Sequence, residues 1–182
     1  MVNFGMIYMI GGAPRCGKSI LARKILERKL ISYVSTDTLV HMLKKAAPTL
    51  GITDKIEMNI RREKFFPFLE QFVKLVKYDP HGYTIEGDII WPKQVKLLSA
   101  KFEIKSIFLG FESITLSDII ENIGSNDWVL DLSKKEREEM PKWLRDLSRE
   151  YKAESEKYGY RYIDMSEDFE GKLKEAENYL LK

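Results

Sequence analysis

The chain has 182 residues, of which 44% are hydrophobic and 32% are charged, and its formal net charge is +2. This composition is typical of a folded domain with a sizeable core and excludes a disordered chain, while the small net charge gives no overall basic signature for DNA or RNA. The single cysteine, Cys16, excludes an internal disulfide and a zinc site built from cysteines, and it fits a reducing compartment.

Signals for membrane insertion or export are not found in the sequence. No apolar stretch approaches the about 20 residues that a membrane-spanning helix needs. The opening residues, MVNFGMIYMIGG, lack the charged region with which a signal peptide begins. We therefore expect a cytoplasmic protein without a membrane partner.

Five short segments are predicted to be buried strands, because they are apolar or β-branched and are bounded by turn residues. Helical patterns lie between them, which favours an α/β protein with a parallel sheet covered on both faces. No internal repeat or flexible linker divides the sequence, so we expect a single domain over residues 1–182. The predicted strands are 6–11, 31–36, 83–87, 105–111 and 160–166.

The first predicted strand leads into a full match to the phosphate-loop pattern G-x-x-x-x-G-K-[ST]. Glycines let successive backbone N–H groups turn towards an anion, and the following helix points its positive end to the same place. Lys18 would reach the β- and γ-phosphates of ATP, and the Ser19 hydroxyl would ligate Mg²⁺. The eight residues of the pattern are Gly12, Ala13, Pro14, Arg15, Cys16, Gly17, Lys18 and Ser19.

Two further expectations concern this region. Cys16 occupies a variable position of the pattern, where it serves either as a packing residue or as a reactive thiolate beside Lys18. The helix predicted over residues 19–29 is expected to present one apolar face, made of Ile20, Leu21, Ile25 and Leu26.

Asp37 follows the second predicted strand, at the edge where open α/β sheets bind their ligands. Its carboxylate could accept a proton from an acceptor hydroxyl or hold a Mg²⁺-bound water. The alternative is a helix cap, since Ser35, Thr36 and Asp37 all precede the helical pattern TLVHMLKK. A capping role would not exclude a catalytic one.

Two connections, 38–82 and 112–159, are too long for simple crossovers, so both are expected to contain helices and to carry function. In the first, Arg61 and Arg62 could bind phosphate or carboxylate oxygens, or they could belong to a solvated helix face. Pro67 is expected to start or kink the helix that follows them. Its regularly spaced aromatic residues are expected to pack in the core: Phe65, Phe68 and Phe72.

The third predicted strand ends in Glu86-Gly87. The Glu86 carboxylate could bind acceptor hydroxyls or orient a metal-bound water, and Asp88 is a rival carboxylate for the same work. The alternative interpretation is a simple turn at the strand end.

The phosphate loop and the order of elements resemble the nucleoside-monophosphate-kinase-like group of small P-loop kinases. That group includes adenylate, shikimate, gluconate and 2-phosphoglycerate kinases, chloramphenicol phosphotransferase and the zeta-toxin kinases. The N-K-x-D tetrad of guanine-specific proteins does not occur in the sequence, and YTIEGD is a weak imitation of the ring-ATPase pattern. The resemblance implies a three-layer P-loop fold with sheet order 2-3-1-4-5, an acceptor-binding insertion at 38–82 and a lid at 112–159.

The same resemblance implies roles for individual residues. Asp37 matches the position of the general base in the 2-phosphoglycerate kinase-like and antibiotic-phosphorylating members. Lid arginines of the group close over the transferring phosphoryl, and here Arg145 is the first choice and Arg137 the second. Ser166 lies after the fifth strand, where relatives bind adenine.

The resemblance also has a departure that concerns the acceptor. Glu86-Gly87 aligns loosely with the D-G-F-P-R segment of nucleotide kinases, but Trp91-Pro92 replaces the arginine that binds the acceptor there. This argues against a nucleoside monophosphate acceptor, and an aspartate at position 37 favours a hydroxyl.

We therefore predict an ATP- and Mg²⁺-dependent phosphotransferase that acts on a small molecule. An ATP-binding sensor or regulatory module with little transferase activity is one alternative. A kinase of a macromolecular acceptor, such as an RNA end or a cell-wall precursor, is the other. DNA is not an expected partner, and the sequence leaves the oligomeric state open.

Overall fold

The computed structural model describes residues 5–53, 55–121 and 129–182. Within these residues the chain forms five strands, and each predicted strand agrees with an observed one to within two residues at either end. The strands are β1 (Ile7–Gly12), β2 (Ser32–Ser35), β3 (Tyr83–Gly87), β4 (Ile104–Gly110) and β5 (Arg161–Asp164).

Helices fill the connections between the strands, including both long ones. The first long connection contains α2 and α3 with a short 3₁₀ helix, Pro48–Leu50, between them, and the second contains α5 and α6. The described α-helices are α1 (Lys18–Lys29), α2 (Thr36–Ala46), α3 (Met58–Val76), α4 (Pro92–Ser99), α5 (Leu116–Glu121), α6 (Lys134–Tyr158) and α7 (Phe169–Leu181).

All neighbouring strands are parallel, and their order is β2-β3-β1-β4-β5. This confirms the predicted α/β class, the five-stranded sheet and the sheet order. Because β1 lies between β3 and β4, the strand order reverses at β1. The loop that follows β1 therefore lies at the switch point of the sheet, where open α/β sheets bind their ligands. The register aligns Glu86 of β3 with Ile10 of β1 and with Ser35 of β2, so the ends of these three strands lie side by side.

Two helix pairs cover the sheet, as a three-layer arrangement requires. Helices α1 and α7 pack on each other and on the sheet, and α4 and α6 form the second such pair. The middle of α6 buries Leu144, Leu147 and Tyr151 against the sheet, which makes residues 134–158 a core-packed crossover helix. Residues 112–133 are the part of the second long connection that precedes it.

Three details of the helices differ from expectation. The buried stripe of α1 runs through Lys18, Leu21, Ala22 and Ile25, so Ile20 falls beside it and is 45% exposed. In α3 the helix begins nine residues before Pro67 and continues through it, so Pro67 does not start the helix. This proline lies on the exposed side, where water can bond the carbonyl group that loses its N–H partner. The Phe68 ring on the same helix is 36% exposed rather than in the core.

Candidate functional site

The phosphate-loop pattern forms a tight loop between β1 and α1. Gly12 is the last residue of β1 and has a φ of 137°. It lies so close to β4 that an added Cβ would collide with the Leu109 carbonyl oxygen. The next residue, Ala13, donates its N–H to that same oxygen at 3.0 Å. Only glycine fits at position 12, because the conformation and the close approach both exclude a side chain.

The first turn of α1 faces the interior of this loop. Helix α1 begins at Lys18, directly after Gly17, and the described residues supply no side-chain cap and no acid to its first turn. The Lys18 ammonium is buried and donates to the Ala13 carbonyl oxygen at 2.7 Å, so it spans the loop. Free amides at a helix N-terminus together with an ammonium fit the phosphates of a nucleotide.

Cys16 packs inside the loop. Its Sγ is fully buried and donates to the Ala13 carbonyl oxygen at 2.8 Å. Burial raises the pKa of the Cys16 thiol, with Lys18 opposing this effect in part. A raised pKa keeps the sulfur protonated, which supports the packing interpretation over the reactive thiolate.

Ser19 and Glu86 form the part of the site that suits a metal ion. Ser19 lies in the first turn of α1 and donates its hydroxyl to Glu86 Oε1 at 3.0 Å. Glu86 ends β3 and is 2% exposed, so its carboxylate is held between β1 and β2. A hydroxyl with a carboxylate behind it fits a Mg²⁺ ion that keeps several waters. No group of three or more acidic, histidine or cysteine side chains within residues 5–53, 55–121 and 129–182 has the arrangement of a metal site.

Asp37 is in the first turn of α2 and is not the residue that caps it. Ser35 is the cap, since its Oγ accepts the Asp37 N–H at 3.3 Å. The Asp37 carboxyl group is therefore available for another role, and it lies beside the carboxyl group of Asp88. Each of these two acids follows a strand, Asp37 coming after β2 and Asp88 after β3.

The surroundings of Asp37 change its acidity. Its side chain has accessible surface, yet enough protein encloses it for desolvation to act, and repulsion from Asp88 adds to this effect. Together they raise the pKa of Asp37 to about 6, against the attraction of Lys18. A carboxylate with this pKa is a stronger base than an ordinary aspartate and is still ionised at neutral pH.

The charge of Lys18 is strengthened by the same cluster. Burial lowers the pKa of the Lys18 ammonium, but the negative charges of the surrounding carboxylates, Asp88, Glu86 and Asp37, oppose this effect and raise the pKa above its usual value. Lys18 is consequently charged at neutral pH, as the binding of phosphate oxygens requires.

The two predicted acceptor-binding arginines have different environments. Arg61 places NH2 3.6 Å from Asp88 Oδ2 and 3.0 Å from the Met58 sulfur, at the rim of the acidic cluster. Arg62 is 2% exposed and lies against the ring of Trp91, beneath the surface of the site. Arg61 is thus placed where a ligand could reach it, whereas Arg62 is part of the wall behind it.

Of the residues predicted to serve the lid and the adenine, Arg145 and Ser166 form hydrogen bonds with the loop that follows β4. Arg145 donates from NH1 to the Ile114 carbonyl oxygen at 2.8 Å, and Arg137 lies near the start of α6, half-buried. Ser166 donates to Asp164 Oδ1 at 2.6 Å and accepts the Ser113 N–H at 2.8 Å. Through Asp164 and Ser166 the loops that follow β4 and β5 are therefore tied together.

Three contacts were not anticipated from the sequence. Arg15 of the phosphate loop donates to the Ile119 carbonyl oxygen in α5 at 3.0 Å. Trp91 stacks on Arg62, and the hydroxyl of Tyr151 donates to the Asp88 carbonyl oxygen. Tyr151 does continue the helical spacing of Leu144 and Leu147, so the sequence carried a signal for its burial but none for its partner.

Comparison with known proteins agrees with this architecture. No protein-family profile matches the chain, and no curated protein sequence does. An uncharacterised protein from Eubacterium ventriosum superposes with a TM-score of 0.57 at 17% identity, over 97% of this chain and 99% of that one. Shikimate kinase from Aquifex aeolicus gives 0.53 at 14% identity, over 97% and 96%. A gluconokinase from Sinorhizobium meliloti gives 0.51 at 15% identity, over 99% and 93%.

These similarities define the class of fold. The α/β architecture, the five-stranded parallel sheet and its order 2-3-1-4-5 match the structures of P-loop kinases. At these identities the likeness concerns the fold alone. Among the helices that the structure describes, none has the length and apolar character needed to cross a membrane.

Proposed function

We propose that the protein is a Mg²⁺- and ATP-dependent phosphotransferase that transfers a phosphoryl group to the hydroxyl of a small molecule. The observation that carries this proposal is the cluster at the ends of β2 and β3. There, the Ser19–Glu86 pair and the Asp37–Asp88 pair lie beside the buried ammonium of Lys18. The fold shared with a shikimate kinase and a gluconokinase, both kinases of small molecules, supports the same reaction class.

Each part of the cluster has a chemical task. The Lys18 ammonium and the amides of the loop and of α1 bind the phosphate oxygens, and Ser19, held by Glu86, contributes a hydroxyl ligand to the metal. When bound, Mg²⁺ neutralises the charge that develops on the phosphates. Asp37 accepts the proton of the acceptor hydroxyl, which makes the oxygen a better nucleophile.

The remaining site residues belong to the same proposal. Arg61 at the rim of the acidic cluster binds acceptor oxygens, and Arg62 supports it from behind. Arg145, with Arg137 as the second choice, neutralises the transferring phosphoryl from the 112–159 connection. Ser166 contributes to the adenine pocket. In this proposal the 182 residues form a single cytoplasmic kinase domain, with 38–82 as the acceptor-binding region.

A direct experiment tests the reaction class. The protein is incubated with Mg²⁺-ATP and a library of hydroxyl-bearing metabolites, and products heavier by one phosphoryl group are sought by mass spectrometry. We expect acceptor-dependent ADP release in the wild type and its loss in an Asp37→Asn variant. Calorimetry with Mg²⁺-ATP provides the separate measurement of nucleotide binding.

The outcomes separate the candidate functions. ATP binding without turnover on any acceptor would favour the sensor or regulatory module. Turnover only with RNA ends or cell-wall precursors would favour a macromolecular acceptor. Absence of ATP binding at millimolar concentration would contradict the proposal as a whole.

A further inference from the structure

We propose that Tyr151, held by Arg62, is a positioning residue that fixes the Asp88 turn and thereby keeps the Asp88 and Asp37 carboxyl groups in contact. This inference rests on the proposed function, because it concerns the geometry of the two carboxyl groups that serve the acceptor. Neither residue is expected to touch a ligand. Their effect is transmitted through the backbone of residue 88.

The environment of Arg62 is unusual for a guanidinium group. Arg62 is 2% exposed, and its side chain donates to Asn59 Oδ1 and to the Tyr151 hydroxyl oxygen, each at 3.0 Å. Its Cζ lies 3.8 Å from the centre of the Trp91 ring, and its Nε has no hydrogen-bond partner among the described residues. Neutral partners compensate a buried charge poorly, so stability alone does not account for an arginine here.

The backbone of Arg62 is held as firmly as its side chain. Gln94 of α4 donates from Nε2 to the Arg62 carbonyl oxygen at 2.8 Å, and both residues are buried. The guanidinium therefore has a fixed position between α3, α4 and α6. A fixed donor can orient the group to which it donates.

That group is the hydroxyl of Tyr151, which is fully buried in α6. A phenol has a single proton, and since Arg62 supplies the donor of one bond, this proton is left for a second acceptor. The acceptor is the Asp88 carbonyl oxygen. Burial raises the pKa of Tyr151 to about 12, so the hydroxyl retains its proton at neutral pH.

The turn that receives this hydrogen bond carries the acidic cluster. The Asp88 side chain lies beside the Asp37 carboxyl group, close enough to repel its negative charge, and it lies 3.6 Å from Arg61 NH2. A displacement of the Asp88 backbone would separate the two carboxyl groups. Arg61 and Arg62 are neighbours in α3, so the same contacts connect the acceptor-binding insertion with the carboxyl pair.

The chain offers a matched pair of variants to test this role. Tyr151→Phe removes only the hydroxyl that donates to Asp88. Tyr160→Phe makes the same chemical change on a second tyrosine that packs on Phe108. The distance between ring centroids is 5.7 Å for Tyr160 and Phe108, and 6.1 Å for Tyr151 and Phe108. The Tyr160 hydroxyl pairs with Ser99 Oγ at 3.4 Å, and Tyr160 directly precedes β5, at the sheet edge opposite the ends of β2 and β3 that carry the acidic cluster.

Two measurements are made on each full-length variant. The first is hydrogen–deuterium exchange of residues 86–91 in the ligand-free protein. The second is steady-state hydrolysis of Mg²⁺-ATP, with water in place of the acceptor. Water attacks the γ-phosphorus, and the bond between this phosphorus and the β,γ-bridging oxygen breaks. ADP, phosphate and a proton are released. For Tyr151→Phe we expect faster exchange at 86–91 and a loss in kcat of about tenfold to a hundredfold, with KM for ATP unchanged. Tyr160→Phe should change neither quantity.

The outcomes distinguish this inference from the proposed function. Unchanged exchange at 86–91 in Tyr151→Phe would overturn the inference, whatever the activity. Faster exchange with unchanged kcat would also overturn it, while leaving the kinase proposal intact. An equal loss of kcat in Tyr160→Phe would show that Tyr151 acts through packing alone and would overturn the positioning role. Failure of the wild type to bind Mg²⁺-ATP would contradict the proposed function and, with it, the positioning role.

Discussion

Asp37 shows how the meaning of a residue depends on the neighbours that the fold provides. In the sequence it is an acid before a helix, for which capping and catalysis were equally suitable chemistries. In the structure Ser35 caps α2, and the Asp88 carboxyl group lies beside that of Asp37. The capping alternative for Asp37 is therefore excluded by a side chain two residues away, while its role as a base stays a prediction.

Replacing Asp37 by asparagine keeps the size of the side chain and removes the base. We expect kcat for phosphoryl transfer to fall by about 10²–10⁴-fold, because that is the usual contribution of general base catalysis. The dissociation constant for Mg²⁺-ATP should stay nearly the same, since Lys18 and the loop amides are untouched. Enzyme assays and calorimetry on the same preparations measure the two effects. An equal loss of turnover and nucleotide binding would contradict the assignment.

Asp79→Asn is the matched control for this change. Asp79 precedes β3, at the opposite edge of the sheet, and its carboxylate accepts the His81 N–H at 3.0 Å. An asparagine oxygen can replace that acceptor, so we expect wild-type turnover from this variant.

The raised pKa of Asp37 also predicts a dependence of stability on pH. The folded state binds the Asp37 proton more tightly than the unfolded state, so this group favours folding below pH of about 4 and its contribution is lost as the pH rises through about 6. Asp37→Asn should therefore raise the melting temperature at pH 8, where the wild type holds the charge of Asp37 in a partly desolvated position beside Asp88. Near pH 3.5 it should leave the melting temperature unchanged. Calorimetric melting at both values checks this, and equal shifts at the two pH values would contradict it.

The same titration governs activity. Asp37 must be ionised to accept a proton, so kcat should decline as the pH falls through about 6. The residue that gives the protein its proposed activity is thus one that lowers its stability at neutral pH, as active-site groups often do.

At the scale of elements, the strands were predicted within two residues, and the buried face of α1 was predicted correctly at Leu21 and Ile25 but incorrectly at Ile20. Strands in a parallel sheet are buried on both sides, so an apolar run marks them regardless of their neighbours. A helix buries one stripe, and its direction depends on the partners. The pairing of α1 with α7 and β3 selects Leu21, Ala22 and Ile25 and leaves Ile20 outside.

The phosphate loop makes a prediction at this scale through its first glycine. Gly12→Ala should prevent folding or lower the free energy of unfolding severely, because the added Cβ would collide with the Leu109 carbonyl oxygen of β4. Gly159→Ala is the matched control, since Gly159 also has positive φ, 74°, but nothing lies within 4 Å of an added Cβ. There we expect only the strain of a left-handed alanine, about 1–2 kcal/mol. Chemical denaturation of both variants measures the difference, and equal losses would contradict a role for close packing.

For the whole molecule, nucleotide binding should appear as stabilisation. If Mg²⁺-ATP binds the folded state alone, a ligand concentration of a hundred times Kd stabilises the protein by about 2.7 kcal/mol. We expect a clear rise in melting temperature with Mg²⁺-ATP, which Lys18→Ala should reduce or abolish. Lys24 is on the same helix as Lys18, but its ammonium is exposed and pairs with Glu170 of α7 at 3.2 Å. Lys24→Ala should therefore retain the shift. A rise in melting temperature as large in Lys18→Ala as in the wild type would contradict the proposed role of Lys18 in nucleotide binding.

Much of the molecule was determined by the sequence alone. The phosphate-loop pattern, the five apolar strands and the alternation of strands with helices predicted an α/β fold with a parallel sheet and a phosphate loop, because these features depend on local backbone chemistry and on burial. The sheet order was implied by the resemblance to small P-loop kinases, and the structure has that order. The resemblance to small P-loop kinases pointed to the same fold, which the superpositions on a shikimate kinase and a gluconokinase confirm.

Tertiary structure decided the partners. Ser19 and Glu86 are 67 residues apart in the chain and Arg62 and Tyr151 are 89 apart, and no local pattern pairs them. They meet because β1 lies beside β3 and because α3 and α6 enclose the turn after β3. Hydrogen bonds and pKa values depend on distances of a few ångströms between such side chains, and it is the packing of the sheet and its helices that sets those distances.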